Sequence, residues 1–213
     1  MEYLLNNLSA ILKRTYEHLY IVSISLIISM ILGIIIGILI SRDKKIASII
    51  LKIISILFTI PSLSLFGILI SILSPFKLGI GKFPAIIALI IYTLLPITRN
   101  TYTAIMSIDK GVIESAKGMG MNRGEIIRKI IFPLSIPLLM AGIRNSFVLG
   151  IGVGTISFLI GAGGLGYYIF EGIERSNNNM IFTGVVTISL LSIFINYSLY
   201  FIEHSLTPKG VRK

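Results

Sequence analysis

The sequence predicts an all-α, polytopic membrane protein with about five transmembrane helices and a helix-turn-helix loop on the cytoplasmic side. Of the 213 residues, 54% are hydrophobic and 13% are charged, against about 45–50% and about 25% in soluble domains. The apolar residues form runs of about the 20 residues that a helix needs to cross a bilayer. Polar, charged, proline or glycine residues separate the runs, so the chain divides into successive spans.

The first predicted span runs from Tyr20 to Ile40 and has no charged residue. A signal peptide has a shorter apolar stretch and a cleavage site of small residues. This run ends instead at Ser41, followed by Arg42 and two lysines. We therefore interpret it as a retained transmembrane helix.

Two spans are predicted in the next third of the chain. The second begins near Ile46 or Ile53 and ends at Leu73, with Pro61 expected to kink it because proline removes a helical hydrogen bond. The third runs from about Phe83 to Ile97, with Pro96 near its end.

The fourth span is expected from about Ser135 to Ile160 and contains Arg144 and Asn145, and the fifth runs from about Met180 to Ile202. The segments between the spans are too short for a soluble domain. We therefore expect residues 1–213 to form a single transmembrane domain.

Loop charge predicts the orientation, because basic residues concentrate on the cytoplasmic side of membrane proteins. One side collects twelve basic residues, and the other collects five. The first set is Arg42, Lys44, Lys45, Arg99, Lys110, Lys117, Arg123, Arg128, Lys129, Lys209, Arg212 and Lys213, and the second is Lys13, Arg14, Lys77, Lys82 and Arg175. We expect the 107–133 loop and the C-terminus in the cytoplasm, and the N-terminus outside. Since the basic residues separate apolar runs, the net charge of +10 does not favour nucleic-acid binding.

Two glycine pairs are spaced for close helix packing. Gly33 and Gly37 share one face of the first span, and Gly150 and Gly154 share one face of the fourth. Small residues four apart let a neighbouring backbone approach closely. The pairs indicate either ordinary contacts within the bundle or a seam between two copies of the chain.

The 107–133 loop is polar but patterned. Asp109 is expected to cap a short helix from Lys110 to about Lys117, which Gly118 and Gly120 would end. The pattern predicts a helix followed by a glycine turn.

A second helix is expected directly after that turn. Asn122, followed three residues later by Glu125, predicts a capping box. Pro133 and Pro137 are expected to stop or kink this helix at the membrane. By pattern alone, the whole unit could also be a simple amphipathic connector.

The loop also carries a motif with fixed spacing, formed by Glu114, Ser115, Ala116, Gly120, Ile130, Ile131, Phe132 and Pro133. It resembles the cytoplasmic loop of binding-protein-dependent importer permeases, with Ser115 in place of an alanine and Phe132 in place of a leucine. The resemblance implies the type I fold of ATP-binding-cassette (ABC) importer permeases. It also implies that Glu114 to Gly120 form a coupling helix that docks on an ATPase subunit.

Matching segments extend from about Ile60 to Gly172 and resemble the glycine betaine, carnitine and choline branch of these permeases. They are Ile60 to Leu63, Pro84 to Leu89, Leu95 to Tyr102, Gly118 to Met121 and Ile160 to Gly166. The resemblance implies an extracytoplasmic binding protein, a second permease subunit of the same or a similar kind, and two ATPase subunits that hydrolyse the ATP. This chain would bind no cofactor. The alternative is a permease of the same fold for methionine or another amino acid.

Arg144 lies well inside the fourth span. Charged residues at such depth usually face protein or water, so Arg144 is a candidate for a gating or interface pair, with snorkelling or direct substrate contact as alternatives. Asn145, Pro61, Pro96, Gly150 and Gly154 are further gating or interface candidates.

Other residues give no pattern of a catalytic or metal site. With no cysteine there is no thiolate chemistry, and His18 and His204 are expected to be interfacial. Glu171 and Glu174 are expected to form a solvated face, although they could also attract a cationic substrate. The glycine-rich stretch 161–166 lacks the ending of a phosphate loop and predicts an external turn or a re-entrant segment. A membrane-embedded enzyme or a plain anchor subunit is disfavoured, because ionisable residues do not converge at one depth and an anchor needs no spaced loop motif.

Overall fold

The computed structural model describes residues 7–208 and 210. Within those residues the secondary structure is entirely helical, which confirms the predicted all-α class. The α-helices are α1 (Leu8–Ile40), α2 (Lys44–Thr59), α3 (Ser62–Leu73), α4 (Lys82–Met106), α5 (Lys110–Gly118), α6 (Arg123–Ile126), α7 (Phe132–Ile156), α8 (Gly166–Glu174) and α9 (Asn178–Leu206).

Four helical stretches in the described residues are long and apolar enough to cross a membrane: Leu8–Ile40, Lys82–Met106, Arg123–Ile160 and Asn178–Leu206. The second predicted span corresponds to the pair α2 and α3, whose axes are bent by 95° at a short break. This confirms four to five apolar helices. The first helix begins at Leu8, before the start predicted at Tyr20. Its additional turns contain the polar residues from Lys13 to His18.

The break between α2 and α3 falls at Pro61, where a kink was predicted, but the two helices are separate. Ile60 takes an extended conformation, as residues before proline prefer. Its carbonyl oxygen accepts a hydrogen bond from the Tyr92 hydroxyl of α4, and the Phe58 ring meets the Tyr92 ring edge-on at 5.8 Å. Tyr92 thereby satisfies a carbonyl group that the helix break frees.

Contacts at its two ends indicate that the α2–α3 pair traverses the bundle despite its bend. Arg42, just before α2, lines a cavity together with Ile127 and Phe132, at the end that carries the 107–133 loop. After α3, the Gly81 N–H donates to the Ile160 carbonyl at 2.7 Å, beyond the far end of α7. The pair therefore begins at one end of the bundle and finishes at the other.

Of the two outcomes predicted for Pro133 and Pro137, a stop or a kink, the stop is wrong. One helical course runs from Arg123 to Ile160, with a π-helical turn at Ile127–Ile131 directly before α7. Pro133 lies just after the π turn and has no N–H with which to continue the regular hydrogen-bond pattern. A π-helical turn usually forms a short bulge within an α-helix. Here it lets the helix continue although the regular α-helical hydrogen-bond pattern is interrupted before Pro133.

Helices α1, α4 and α7 form the centre of the bundle. The Cβ atom of an alanine at Gly37 would lie 2.6 Å from the Cβ atom of Thr101, and one at Gly33 would lie 2.8 Å from Ile97 Cγ2. These glycines therefore let α1 and α4 touch within one chain. Hydroxyl groups join the three helices, because Ser29 Oγ lies 2.6 Å from Thr93 Oγ1 and Ser146 Oγ donates to the Thr93 carbonyl at 2.9 Å.

Helix α9 lies at the edge of this centre. It packs on α7 and α8, and its buried residues are confined to Met180, Thr183 and Gly184 in its first two turns. Its remaining surface exposes large apolar side chains such as Phe194 and Phe201. A helix of this kind is suited to lipid or to another membrane subunit.

Candidate functional site

The loop between α4 and α7 is built as two helices around a glycine turn, as predicted. Asp109 begins α5, and its Oδ1 atom accepts a hydrogen bond from the Gly111 N–H at 2.6 Å. Asn122 begins α6 in a reciprocal capping box with Glu125, at 3.0 and 3.1 Å. These bonds satisfy backbone donors at both helix starts.

Gly120 ends α5 in the left-handed conformation, with φ of +81°. The N–H groups of Gly120 and Met121 donate to the carbonyls of Lys117 and Ala116, which is the hydrogen-bond pattern of a Schellman motif. Gly118, also predicted to end the helix, is instead its last helical residue. The turn therefore depends on Gly120.

An ion pair extends the order of the loop into the following helix. Lys129 Nζ lies 3.0 Å from Glu125 Oε1, and this ammonium group together with the Asn122 N–H holds the pKa of the Glu125 carboxyl below its ordinary value. Glu125 precedes the apolar part of the helix that runs to Ile160. The loop is thus a defined unit joined directly to α7, rather than a slack connector.

The motif residues divide into an outward and an inward set. Glu114, Ser115, Gly118 and Gly120 are exposed, whereas Ala116 is fully buried. Ile130, in the π turn, and Pro133, in the first turn of α7, are half-buried.

Two apolar side chains of the loop were not predicted as site residues. Met119 is 75% exposed and Val112 is 43% exposed. Met119 lies in the variable gap between Ala116 and Gly120 and Val112 precedes the motif, so the motif spacing gave no signal for either. The feature that distinguishes these two side chains is their exposure in an otherwise polar loop. Exposure can be measured only from the structure.

Arg144 pairs with a residue that the sequence did not identify. Its Nη2 atom lies 3.2 Å from Glu203 Oε2 in α9, and its guanidinium carbon lies 5.7 Å from the centre of the Tyr200 ring. The contact is an ion pair whose geometry is not that of a hydrogen bond. Arg144 thus joins α7 to α9.

The other gating or interface candidates occupy separate positions. Asn145 is exposed on α7, next to Arg144. Pro96 lies within α4, where its carbonyl oxygen would be 3.0 Å from a Cβ atom placed at Gly142. A Cβ atom at Gly150 or Gly154 would lie 3.4 and 3.1 Å from Val22 of α1. The structure therefore does not gather these residues into one site.

The glycine-rich stretch 161–166 forms a turn at the opposite end of α7 from the loop, as predicted, with positive φ at Gly161, Gly163 and Gly164. It covers His18, which is 1% exposed. His18 is therefore enclosed by protein at this end of the bundle and faces neither lipid nor water. The ring fits because Gly154 and Gly164 have no side chains, and a Cβ atom at either would lie within 3.3 Å of it.

The predicted solvated face of Glu171 and Glu174 is only partly observed. Glu174 is exposed, but Glu171 is half-buried and its Oε2 atom lies 2.7 Å from Arg175 Nη2. Within residues 7–208 and 210, no three histidine or acidic side chains come together as a metal site.

A comparison with protein families matches residues 29–210 to the model described as "Binding-protein-dependent transport system inner membrane component". Among curated proteins, the chain is 42% identical over 212 residues to the glycine betaine/carnitine/choline transport system permease protein OpuCB of Bacillus subtilis, covering 100% of this chain and 95% of that protein. It is 40% identical to the choline transport system permease protein OpuBB of the same organism, covering 100% and 96%. It is 39% identical to the osmoprotectant import permease protein OsmW of Salmonella typhimurium, covering 100% and 99%.

Solved structures agree on the fold. An inward-facing structure of the MetNI methionine ABC transporter superposes with a TM-score of 0.84 at 22% identity, covering 95% of this chain and 99% of that chain. An amino acid ABC transporter with histidines gives a TM-score of 0.73 at 18% identity, covering 95% and 94%. At these identities the likeness concerns the fold alone.

Proposed function

The chain belongs to the family of binding-protein-dependent transport system inner membrane components, and we propose that it is the permease subunit of an ATP-driven importer for quaternary ammonium osmoprotectants. Glycine betaine, carnitine and choline are the solutes of this class. The observation that carries the proposal is 39–42% identity over the whole chain to permeases whose names specify glycine betaine, carnitine and choline, choline alone, or osmoprotectants. The methionine alternative rests on a fold likeness at 22% identity, and no observation on this chain favours it.

In this proposal the 107–133 loop docks on a separate ATPase subunit, which hydrolyses the ATP. The exposure of Glu114 and Ser115, beside the apolar side chains of Val112 and Met119, supports a docking role, because exposed apolar side chains mark interaction surfaces. The rigid loop continues into α7 without a break. Displacement of α5 by the ATPase would therefore move α7.

The gating candidates lie where a movement of α7 would be passed on to other helices. Arg144 connects α7 to α9, whereas Gly150 and Gly154 let α7 approach α1. Pro61 and Pro96 interrupt regular helical hydrogen bonding in α2–α3 and α4. We propose that these points permit a switch between inward-open and outward-open arrangements.

The partners follow from the family. We propose two ATPase subunits, an extracytoplasmic binding protein and a second permease subunit, which is either identical or similar to this chain. The loop and the C-terminus would face the cytoplasm, and the N-terminus would lie outside. The chain would act in the cytoplasmic membrane, as one transmembrane domain.

Uptake of radiolabelled glycine betaine, carnitine and choline tests the proposal, in cells that lack other osmolyte importers and express this chain with its partners. We expect uptake by the wild type and a loss of about tenfold or more in Glu114→Ala, as for a central interface residue. Lys44→Ala, which removes an exposed charge at the first residue of α2, is the matched control and should retain uptake. Failure of an assembled wild-type complex to take up any of the three solutes would contradict the solute class.

A further inference from the structure

Aromatic side chains of residues 158–170 come together at the end of the bundle opposite the 107–133 loop. The Phe158 ring meets the Tyr167 ring edge-on at 5.8 Å and stacks on the Phe170 ring at 6.1 Å, with 11° between the planes. Tyr168 contacts Tyr167 at 5.3 Å. The sequence alone predicted no aromatic cage, because these residues are only parts of apolar runs.

A cation already occupies one face of this aromatic cluster. The guanidinium carbon of Arg14 lies 4.4 Å from the centre of the Tyr167 ring, and its Nη1 atom lies 3.0 Å from Glu17 Oε2. The same oxygen accepts a hydrogen bond from the Gly164 N–H at 3.2 Å. The surroundings of the Arg14 guanidinium thus combine an aromatic face, a carboxylate and a glycine turn.

The glycine turn leaves the room that this arrangement needs. A Cβ atom at Gly163 would lie 2.8 Å from Glu17 Oε2 and 3.7 Å from Arg14 Nη1. The φ of +84° at Gly163 and Gly164 also disfavours other residues. The turn therefore holds the carboxylate and the ring at a separation that accommodates a cation.

An aromatic face beside a carboxylate is the chemistry that holds quaternary ammonium groups, which have no N–H to donate and depend on cation–π attraction and counter-charge. We propose that Tyr167 and Glu17 form an outer binding site for the quaternary ammonium group of the substrate, and that Arg14 is a tethered cation which the substrate displaces. This inference rests on the proposed function and adds a substrate site on this chain.

The position of the site suits a solute that arrives from outside. Helix α7 has 25 residues, or about 37 Å at 1.5 Å per residue, and it separates the π turn next to the coupling loop from the segment that carries Phe158. The site therefore lies on the side of the membrane opposite the ATPase, where a binding protein would release its solute.

Arg14 would make the proposed site distinguish zwitterionic solutes from choline. Glycine betaine and carnitine carry a carboxylate that choline lacks. Once displaced from Tyr167, the Arg14 guanidinium remains next to the site and is suited to bind a carboxylate through paired hydrogen bonds. Arg14 thus competes with choline but assists the two zwitterions.

Equilibrium binding to the permease–ATPase complex in lipid nanodiscs, with no binding protein present, tests the site directly. The probes are radiolabelled choline and glycine betaine. Tyr167→Leu removes the aromatic face and is expected to weaken the binding of both by about tenfold, the loss of a desolvated cation–π contact. Arg14→Gln is expected to tighten choline binding several-fold and to weaken glycine betaine binding.

Tyr20→Leu is the matched control, because Tyr20 faces another built-in cation, the Lys82 ammonium at 5.1 Å. It should leave both affinities unchanged. Wild-type uptake in cells reports on the proposed function separately. The site is refuted if a complex that transports these solutes binds neither probe, or if Tyr167→Leu has no effect. It is also refuted if Arg14→Gln moves both affinities in the same direction, since that would indicate structural damage or no contact.

Discussion

At the scale of single residues, the pair formed by Arg144 and Glu203 is the clearest addition made by the structure. Arg144 stands out in the sequence because it interrupts an apolar span, whereas Glu203 lies in the last turn of α9 and gives no such signal. Their side chains are 25% and 17% exposed. An ion pair at this depth is stronger than one on the surface, but losing one partner leaves a charge that is poorly solvated.

Leucine at either position should therefore destabilise the purified permease by about 1–2 kcal/mol, between the values for exposed and buried pairs. The exchanged pair, Arg144→Glu with Glu203→Arg, should recover at least half of that loss, because the opposite charges again meet. Thermal unfolding followed by circular dichroism measures both effects. A double exchange no more stable than the single variants would show that the pair contributes nothing by charge.

At the scale of elements, the loop was predictable because its determinants are local. Capping by Asp109 and Asn122 and the left-handed turn at Gly120 depend on residues within a few positions of one another. The π turn at Ile127–Ile131 was not predictable. It depends on how α7 must enter the bundle, and the proline pattern alone indicated a stop or a kink at the prolines, not a π turn before them.

Gly120→Ala is expected to loosen the end of α5, since an alanine in the left-handed conformation costs about 1–2 kcal/mol. Uptake per ATP hydrolysed should fall, because a loosened coupling helix transmits less of the ATPase movement. Gly118→Ala is the control. Gly118 is helical and has open space around it, so alanine there should keep coupling intact and favour the helix by up to about 1 kcal/mol.

Uptake and ATPase activity measured on the same reconstituted preparation give that ratio. Equal coupling in the two glycine variants would contradict the role given to the turn. If only Gly118→Ala reduced the coupling, α5 itself would be critical for coupling, and the turn after it would not.

At the scale of the whole molecule, the number of crossings decides which ends share a side of the membrane. If α2 and α3 cross as a bent pair, the start of α1 and the coupling loop lie on opposite sides. If the pair were re-entrant, both would lie on the same side. The contacts at Arg42 and Gly81 favour a crossing.

Because the chain has no cysteine, single cysteines at exposed positions can report on the arrangement without other changes. Lys13→Cys and Glu174→Cys should react with a membrane-impermeant maleimide on intact cells. Lys117→Cys should react only after permeabilisation, as the loop charges predict. Reaction of Lys13→Cys and Lys117→Cys under the same condition would mean that α2 and α3 do not cross.

The sequence by itself determined the class of the protein, its long apolar helices, the capped helices of the 107–133 loop and the family resemblance. Each of these depends on composition or on residues close together along the chain, so no partner at a distance is needed to recognise it. Only the tertiary structure decided the sharp bend held by Tyr92, the burial of His18, the partner of Arg144 and the aromatic cluster around Tyr167. The first three features join helices that are far apart in sequence, and the aromatic cluster meets Arg14 of α1 at Tyr167. The packing of one helix against another determines which of these side chains meet.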